Sequence, residues 1–275
     1  MTPPAAEPTR GQIPGPVLSL RSAGLAYGQH QVWSGLDLQI QPGEFVAVLG
    51  PNGSGKTSLV RTILGQQALT TGRIDVLGRK PRRGSPHIGY VPQQRLIDPS
   101  TPLRARDLVR YGLDGHRWGI PLPRPGQRER VDELLASVGA TAYADVPVGL
   151  LSGGEQQRVR IAQAMATSPA LLLCDEPLLS LDLAHQREVV GEIAERSRAG
   201  TAVLFVTHEV NPVLDVVDRV LYLAHGCHRV GPPSEVLTSD NLSDIYGTHV
   251  EVIHASGRIL ITATGWDEHH AQEPA

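Results

Sequence analysis

Residues 50–58 read Gly50-Pro51-Asn52-Gly53-Ser54-Gly55-Lys56-Thr57-Ser58. The first eight match the pattern G-x-x-x-x-G-K-[ST], and they lie between a continuous apolar run at 45–49 and a predicted helix at 57–64. Glycines allow successive backbone N–H groups to point inward at phosphate oxygens, and the positive end of the following helix strengthens that field. The Lys56 side chain can reach the β- and γ-phosphates, while the Thr57 hydroxyl can bind Mg²⁺. The stretch therefore predicts a binding site for a nucleoside triphosphate.

The composition is that of a folded protein of 275 residues with 40% hydrophobic and 19% charged residues and a net charge of -3. These values exclude wholesale disorder, and the near-balance of charge argues against a nucleic-acid binder held mainly by phosphate contacts. No apolar run approaches the roughly 20 residues of a membrane-spanning helix, so we expect a chain that does not cross a bilayer by itself. Two cysteines, Cys174 and Cys227, are too few for a disulfide scaffold, which makes a reducing cytosol the simplest compartment.

Lysine is scarce in this chain. Only Lys56 and Lys80 are lysines among the 25 basic residues, and all the others are arginines. One of the two lies in the glycine-rich stretch, where a compact ammonium fits and a broad planar guanidinium would crowd the loop. This choice of residue supports the prediction of a phosphate site.

Strand-like and helix-like segments alternate along the chain, which predicts an α/β fold. The predicted strands are 17–20, 36–40, 45–49, 72–78, 170–174, 202–206 and 220–223, and the predicted helices include 57–64, 184–198 and 213–217. From 96 to 150 strand-like runs disappear and prolines cluster, so we interpret this part as a mostly helical insertion. The tail from 250 to 262 alternates like a hairpin. We expect residues 1–16 to form a disordered leader and 266–275 a flexible tail.

Asp175 and Glu176 end a second buried strand and have the chemistry of a hydrolytic site. Asp175 is predicted to hold Mg²⁺, directly or through water, and Glu176 to polarise the water that attacks the γ-phosphate. His208 follows the strand at 202–206, where its imidazole could donate to the γ-phosphate and orient that water. Together with the glycine-rich stretch, these residues predict nucleotide hydrolysis.

A further motif, Leu151-Ser152-Gly153-Gly154-Glu155, immediately precedes a predicted helix. With the phosphate loop upstream and His208 downstream, the chain from about 17 to 247 resembles the ATP-binding subunit of an ABC transporter. The resemblance implies an α/β P-loop NTPase (RecA-like) core, an antiparallel β edge region and a helical subdomain that carries the motif. It places the core at about 17–94 and 155–225, the helical subdomain at about 95–154, and a C-terminal extension at about 226–265 of one domain, 17–265.

The resemblance also implies a head-to-tail homodimer, with ATP bound between the phosphate loop of one subunit and the motif at 151–155 of the other. Tyr27 is placed like the aromatic residue that stacks on adenine, and Gln93, or Gln94 beside it, like the glutamine that senses Mg²⁺ and the attacking water. Asp182 is similar to the aspartate that communicates across the dimer, although it could also cap a helix. The implied ATP contacts are Tyr27, residues 50–58, Gln93, Ser152, Gly153, Gly154, Glu155 and Asp182; the implied catalytic residues are Lys56, Gln93, Glu176 and His208, and the Mg²⁺ ligands are Thr57, Gln93 and Asp175.

Several softer stretches resemble the ATPases of the zinc/manganese/iron importer group: 88–93, 211–214, 218–223 and 242–247. We therefore expect separate permease subunits in a bacterial membrane, this chain on the cytoplasmic face, and an indirect solute-binding partner. Ferric-siderophore and cobalamin importers share part of the pattern, and an exporter is a further alternative.

A soluble ABC ATPase acting on nucleic acid or ribosomes is the rival from another class, but the chain has one phosphate loop and no sustained heptads. We expect no direct contact with nucleic acid.

The histidines at 225, 228, 249, 254, 269 and 270 lack a closed four-ligand spacing, so no resident metal site is predicted there.

Overall fold

The computed structural model describes residues 15–93, 97–115, 125–179, 181–255 and 257–263. The strands are β1 (Leu18–Tyr27), β2 (His30–Ile40), β3 (Phe45–Leu49), β4 (Thr71–Val76), β5 (Ile88–Val91), β6 (Leu171–Asp175), β7 (Ala202–Val206), β8 (Arg219–Ala224), β9 (Cys227–Gly231), β10 (Val250–Ala255) and β11 (Arg258–Ala263). The α-helices are α1 (Lys56–Ile63), α2 (Ala105–Asp114), α3 (Gln127–Ser137), α4 (Gly153–Ala164), α5 (Leu183–Arg198), α6 (Pro233–Val236) and α7 (Ser239–Tyr246). Short 3₁₀ helices cover Thr141–Tyr143, Val148–Leu150 and Asn211–Val213.

A six-stranded sheet in the order β5-β6-β7-β3-β8-β9 lies at the centre, and all of its strands except β9 run parallel. Every residue of β3, β6 and β7 is buried, because apolar layers cover both faces of the sheet. Within β3, Phe45 and Ala47 face one layer while Val46 and Val48 face the other. This arrangement confirms the predicted α/β fold with a parallel sheet.

A second, antiparallel sheet in the order β2-β1-β4 packs over one of these layers. Strand β2 alternates between buried and exposed positions from Leu36 to Ile40, as the sequence predicts for a half-exposed sheet. Strands β1 and β2 are longer than predicted, and β4 lies at the edge of the sheet. The antiparallel edge region of the expected fold is therefore present.

The helical insertion is present between β5 and β6, where α2, α3 and α4 pack together. Gly112 of α2 lets that helix approach α4 closely, since a Cβ atom there would lie 2.3 Å from the carbonyl oxygen of Gln163. Helix α4 spans the expected boundary between the helical subdomain and the core, and it packs most extensively against α2.

The predicted helix at 213–217 is wrong. A single 3₁₀ turn, Asn211–Val213, stands there and is followed by an irregular turn. The amides of Val216 and Val217 both donate to the carbonyl of Val213, and the Asp218 N–H donates to the carbonyl of Phe45 on β3. The chain therefore leaves the turn for β8, and no regular helical ladder develops.

The C-terminal part adds one strand to the central sheet and then forms a separate hairpin. Strand β9 pairs antiparallel with β8, and β10 pairs with β11 as the alternating tail predicts. The Asn211 side chain joins this hairpin to the core, because its amide nitrogen donates to the Ile259 carbonyl (2.9 Å) and its oxygen accepts from the Ile259 N–H (2.8 Å). Among the described residues, no helix combines the length and apolar character required to span a membrane.

Substitution of Phe205, on β7, tests how much the packing of the central sheet contributes to the free energy of unfolding. Its ring is fully buried and lies 5.6 Å from that of Phe45 of β3, centroid to centroid. We expect Phe205→Ala to lower the free energy of unfolding by about 3–5 kcal/mol, because it leaves a cavity between two parallel strands. Urea denaturation followed by circular dichroism measures this, with Leu260→Ala, 58% exposed, as the control. Equal effects of the two substitutions would contradict this account of the core.

Candidate functional site

The loop between β3 and α1 depends on glycines at its two ends. Gly50 and Gly55 have φ angles of 142° and 95°, which favour glycine. A Cβ atom on Gly50 would lie 1.9 Å from the carbonyl oxygen of Leu223, and one on Gly55 would lie 2.4 Å from Cγ1 of Val32. The loop therefore requires glycine both for its backbone conformation and for its close packing on β8 and β2.

Lys56 directs its ammonium group back into this loop. Its Nζ donates to the carbonyl oxygens of Gly50 (2.6 Å) and Pro51 (2.9 Å), and only 7% of the residue is exposed. Burial lowers the pKa of Lys56, while the charges of Glu176 and Asp175 act in the opposite direction. The Ser54 hydroxyl is also buried, without a hydrogen-bond partner in the described part of the chain. The loop thus surrounds a cation and an unpaired hydroxyl donor, which suits an anionic ligand.

Asp175 is the last residue of β6 and lies beside this cation. It is 4% exposed, and Oδ2 accepts a 3.5 Å hydrogen bond from the hydroxyl of Tyr90 on β5. Burial and the neighbouring Glu176 raise the pKa of Asp175, while Tyr90 and Lys56 counteract them. Burial and Asp175 in turn raise the pKa of Tyr90 to about 12, so Tyr90 keeps its proton for this hydrogen bond. Tyr90 lies within the 88–93 stretch, but no local pattern there predicts its contact with Asp175.

Glu176 and His208 form a hydrogen-bonded pair next to Asp175. Nδ1 of His208 donates to Oε2 of Glu176 at 2.8 Å. Glu176 has a φ of 49°, a left-handed conformation that costs a non-glycine residue about 1–3 kcal/mol. Its backbone N–H donates to the Val206 carbonyl at the end of β7 (3.0 Å), which holds the residue in this conformation. The pair is suited to hold and orient a water molecule for attack.

Tyr27 contacts helix α1, and Gln93 follows the carboxyl end of β5, which is separated from β3 by two strands in the sheet. The hydroxyls of Tyr27, at the end of β1, and Ser58, on α1, are 3.3 Å apart, and Tyr27 is 46% exposed. An exposed ring at this position is available for stacking on a planar base. Gln93 follows β5 by two residues and is exposed, and the alternative, Gln94, lies outside the described residues.

The motif at 151–155 forms the N-terminal turn of α4. Ser152 caps the helix, since its hydroxyl accepts from the Glu155 N–H (3.3 Å) while Glu155 Oε2 accepts from the Ser152 N–H (2.8 Å). This capping box leaves a rigid helix N-terminus, whose positive end attracts anions. We call residues 151–155 the signature turn.

Asp182 caps the next helix, α5. Its Oδ1 accepts from the backbone N–H groups of Ala184 and His185, both at 3.0 Å, and its Oδ2 accepts from Nδ1 of His185 at 2.7 Å. These hydrogen bonds lower the pKa of Asp182. The predicted capping role of Asp182 is confirmed, and His185 is a neighbour that no sequence motif predicts.

The predicted residues fall into two groups. One surrounds the glycine-rich loop and includes Lys56, Asp175, Glu176 and His208; the other joins the signature turn to Asp182. In the part of the chain that the structure describes, no group of three or more His, Cys, Asp and Glu residues is arranged to hold a metal ion. The first group combines a buried cation with carboxylates and an imidazole, which suits the binding of phosphate oxygens and the activation of water, and the second presents a helix N-terminus that suits an anion.

The sequence matches the family model described as "ABC transporter" over residues 33–179, more than half of the chain. Manganese transport system ATP-binding protein MntB of Halalkalibacterium halodurans is 32% identical over 249 residues, covering 90% of this chain and 98% of that protein. Zinc import ATP-binding protein ZnuC of Pseudomonas fluorescens is 34% identical over 234 residues, with coverages of 84% and 82%. Phosphonates import ATP-binding protein PhnC of Anaeromyxobacter dehalogenans is 37% identical over 243 residues, covering 85% of this chain and 49% of that protein.

Solved structures give the same family. An inward-facing ABC transporter, described as being of a metal-chelate type, matches with a TM-score of 0.76 and 26% identity over 90% of this chain and 96% of that one. The dimeric cassette MJ0796, in a post-hydrolysis state with ADP and Pi, matches with a TM-score of 0.67 and 28% identity over 78% of this chain and 98% of that one. The chain therefore belongs to the ABC transporter family, as one of its ATP-hydrolysing cassettes.

Proposed function

We propose that this cassette couples ATP binding and hydrolysis to the import of a metal ion, zinc, manganese or iron, through separate membrane subunits. The Lys56 loop beside Asp175, Glu176 and His208 is the single arrangement that supports the ATPase part. The metal is supported by the manganese and zinc relatives, which this chain matches over most of their length. The phosphonate relative is matched over only about half of its length.

In the proposed mechanism, Lys56 binds the β- and γ-phosphates in place of the Gly50 and Pro51 carbonyls that it contacts in this structure. The amides of the loop 50–58 and the Ser54 hydroxyl hold the other phosphate oxygens. Oxygen donors suit Mg²⁺, so Thr57, Asp175 and Gln93 would hold this ion, which when bound neutralises charge that develops on the phosphates. Tyr27 would stack on the adenine.

Glu176 and His208 would act on the water. The Glu176 carboxylate would accept a hydrogen bond from the attacking water. The imidazolium form of His208 can hold that carboxylate in position through Nδ1, at 2.8 Å, and donate from Nε2 to the γ-phosphate. The left-handed backbone at Glu176 sets the direction of its side chain, because the Val206 carbonyl keeps the residue in that conformation.

A second copy of the chain would complete the site. The signature turn presents Ser152 and the N-terminus of α4, whereas the loop at 50–58 leads into α1, so the two anion-binding features lie on different helices of one chain. We propose a head-to-tail homodimer in which ATP is sandwiched between one subunit's loop and the other's signature turn, with Asp182 communicating across the interface. The protein would dock on permease subunits at the cytoplasmic face of a bacterial membrane, and a solute-binding protein would deliver the metal to them.

Substitution of Lys56 tests the phosphate site. We expect Lys56→Ala to lower the ATPase rate by at least about 100-fold, since the positive charge that binds the transferred phosphoryl group is lost. Phosphate release measures the rate. Lys80→Ala is the matched control, because Lys80 is the other lysine and is exposed. Near-normal turnover in Lys56→Ala would refute the assignment of the loop.

Glu176→Gln tests the dimer. The substitution keeps the size of the side chain but removes the charge that activates water, so we expect ATP to persist and to hold two subunits together. Light scattering should show a doubling of the 29.5 kDa mass with ATP and Mg²⁺ but not with ADP. The control is Glu133→Gln on the exposed face of α3, which should stay monomeric during turnover. A Glu176→Gln protein that remains monomeric with ATP would exclude the sandwich arrangement.

The transported substrate can be tested in cells that lack this gene. We expect reduced cellular zinc, manganese or iron, measured by mass spectrometry, with restoration by the wild-type gene and not by Lys56→Ala. Co-purification should recover a multi-spanning membrane protein. Normal metal content with impaired phosphonate uptake would contradict metal import and favour the substrate named for the phosphonate relative. Recovery of ribosomal proteins alone would favour a soluble ABC ATPase.

A further inference from the structure

His185, in the first turn of α5, contacts Asp182 on one side. Its Nδ1 donates to Asp182 Oδ2 at 2.7 Å, and its backbone N–H donates to Asp182 Oδ1 at 3.0 Å. The carboxylate is therefore held by both the side chain and the backbone of the same residue. This double contact gives the segment around Asp182 one defined orientation.

The opposite side of the His185 ring lies against the signature turn. A Cβ atom built on Gly154 would lie 3.0 Å from Cδ2 and 3.3 Å from Cγ of the imidazole. Gly154 belongs to α4 and is not one of the glycines with positive φ, so its backbone conformation does not require glycine. A side chain at Gly154 would instead press on the His185 ring, which would have to move by a few tenths of an ångström to accept it.

The same two helices are joined again one turn further along. Arg158 of α4 forms an ion pair with Glu188 of α5. His185 and this ion pair therefore form two successive contacts between α4 and α5. Helix α4 packs against α2 and α3, and α5 begins directly after Asp182. These contacts connect the signature turn to the Asp182 segment, and His185 is the residue that contacts both of them.

We propose that His185 is a positioning residue that holds the signature turn and the Asp182 segment in one arrangement and thereby strengthens ATP-driven closure of the dimer. The inference rests on the proposed function, because closure is where the two motifs would act together. A helix N-terminus binds an anion well only when its position is set beforehand. Without the imidazole, the turn and the segment would each have to be ordered when ATP arrives.

The experiment uses Glu176→Gln as the parent protein and measures the protein concentration at which half of it is dimeric with saturating ATP. His185→Leu removes the hydrogen bond to Asp182 and keeps an apolar group near Gly154. His185→Asn retains a donor at the position of Nδ1. His254→Leu is the matched control, since His254 is an exposed histidine on β10. Fluorescent ADP, which does not drive closure, reports nucleotide affinity of the monomer.

We expect His185→Leu to raise the half-dimerisation concentration about tenfold, because a loss of about threefold at each of two equivalent sites multiplies. The affinity for ADP should stay within about twofold of the parent. The contacts described for His185 are with Asp182 and Gly154, and neither residue belongs to the loop 50–58. His185→Asn should recover most of the loss, and His254→Leu should behave like the parent.

Three outcomes would overturn the inference alone. His185→Leu could dimerise like the parent, His185→Asn could be as impaired as His185→Leu, or both variants could lose ADP affinity in parallel with dimerisation, which indicates a merely structural role. A parent protein that does not dimerise with ATP would overturn the proposed dimer itself, and the inference with it. The parent measurement therefore separates failure of the proposed function from failure of the inference alone.

Discussion

Lys56 carries a buried ammonium whose contacts in this structure are the carbonyl oxygens of Gly50 (2.6 Å) and Pro51 (2.9 Å). A buried charge without compensation is costly, so the surroundings of this group must supply acceptors and negative charge. The loop supplies the acceptors because its glycines allow the chain to fold back on the lysine. Asp175 and Glu176 supply the negative charge from the end of β6. An anionic ligand with oxygen acceptors can replace the two carbonyls, which is why this constraint also creates the site.

The parallel sheet brings these groups together. Strands β3, β6 and β7 are neighbours and run in one direction, so their carboxyl ends lie at the same edge. Lys56, the Asp175–Glu176 pair and His208 each follow one of these ends, although they are more than 30 residues apart in sequence. The strands are buried on both faces, which gives the site a rigid base, and the left-handed Glu176 is held by the neighbouring strand. Stability of the sheet and geometry of the site therefore depend on the same packing.

The second group of residues has a different construction. The signature turn and Asp182 are both helix caps, and the hydrogen bonds that form these caps join residues two or three positions apart. Caps of this kind satisfy helix ends within one chain, but they also present an ordered helix N-terminus to the outside. The contact of His185 with Gly154 shows that the two caps, which are far apart in sequence, pack together in the fold. Such an arrangement fits a half-site that a second subunit completes.

Local sequence patterns determined the phosphate loop, the apolar strands and the order of elements, because each depends on residues that are neighbours in the chain. The apolar runs at 45–49, 170–174 and 202–206 correspond to β3, β6 and β7, since strands buried on both faces need continuous apolar residues. The same patterns failed at 213–217, where the apolar residues form a turn, because the amides of Val216 and Val217 share the Val213 carbonyl and the Asp218 N–H bonds to Phe45 of β3. Only the tertiary structure decided that Tyr90 bonds to Asp175, that Glu176 takes a left-handed backbone, and that His185 fills the space beside Gly154. These features arise where separate strands and helices meet, and no periodicity or motif within one segment records the distance to another.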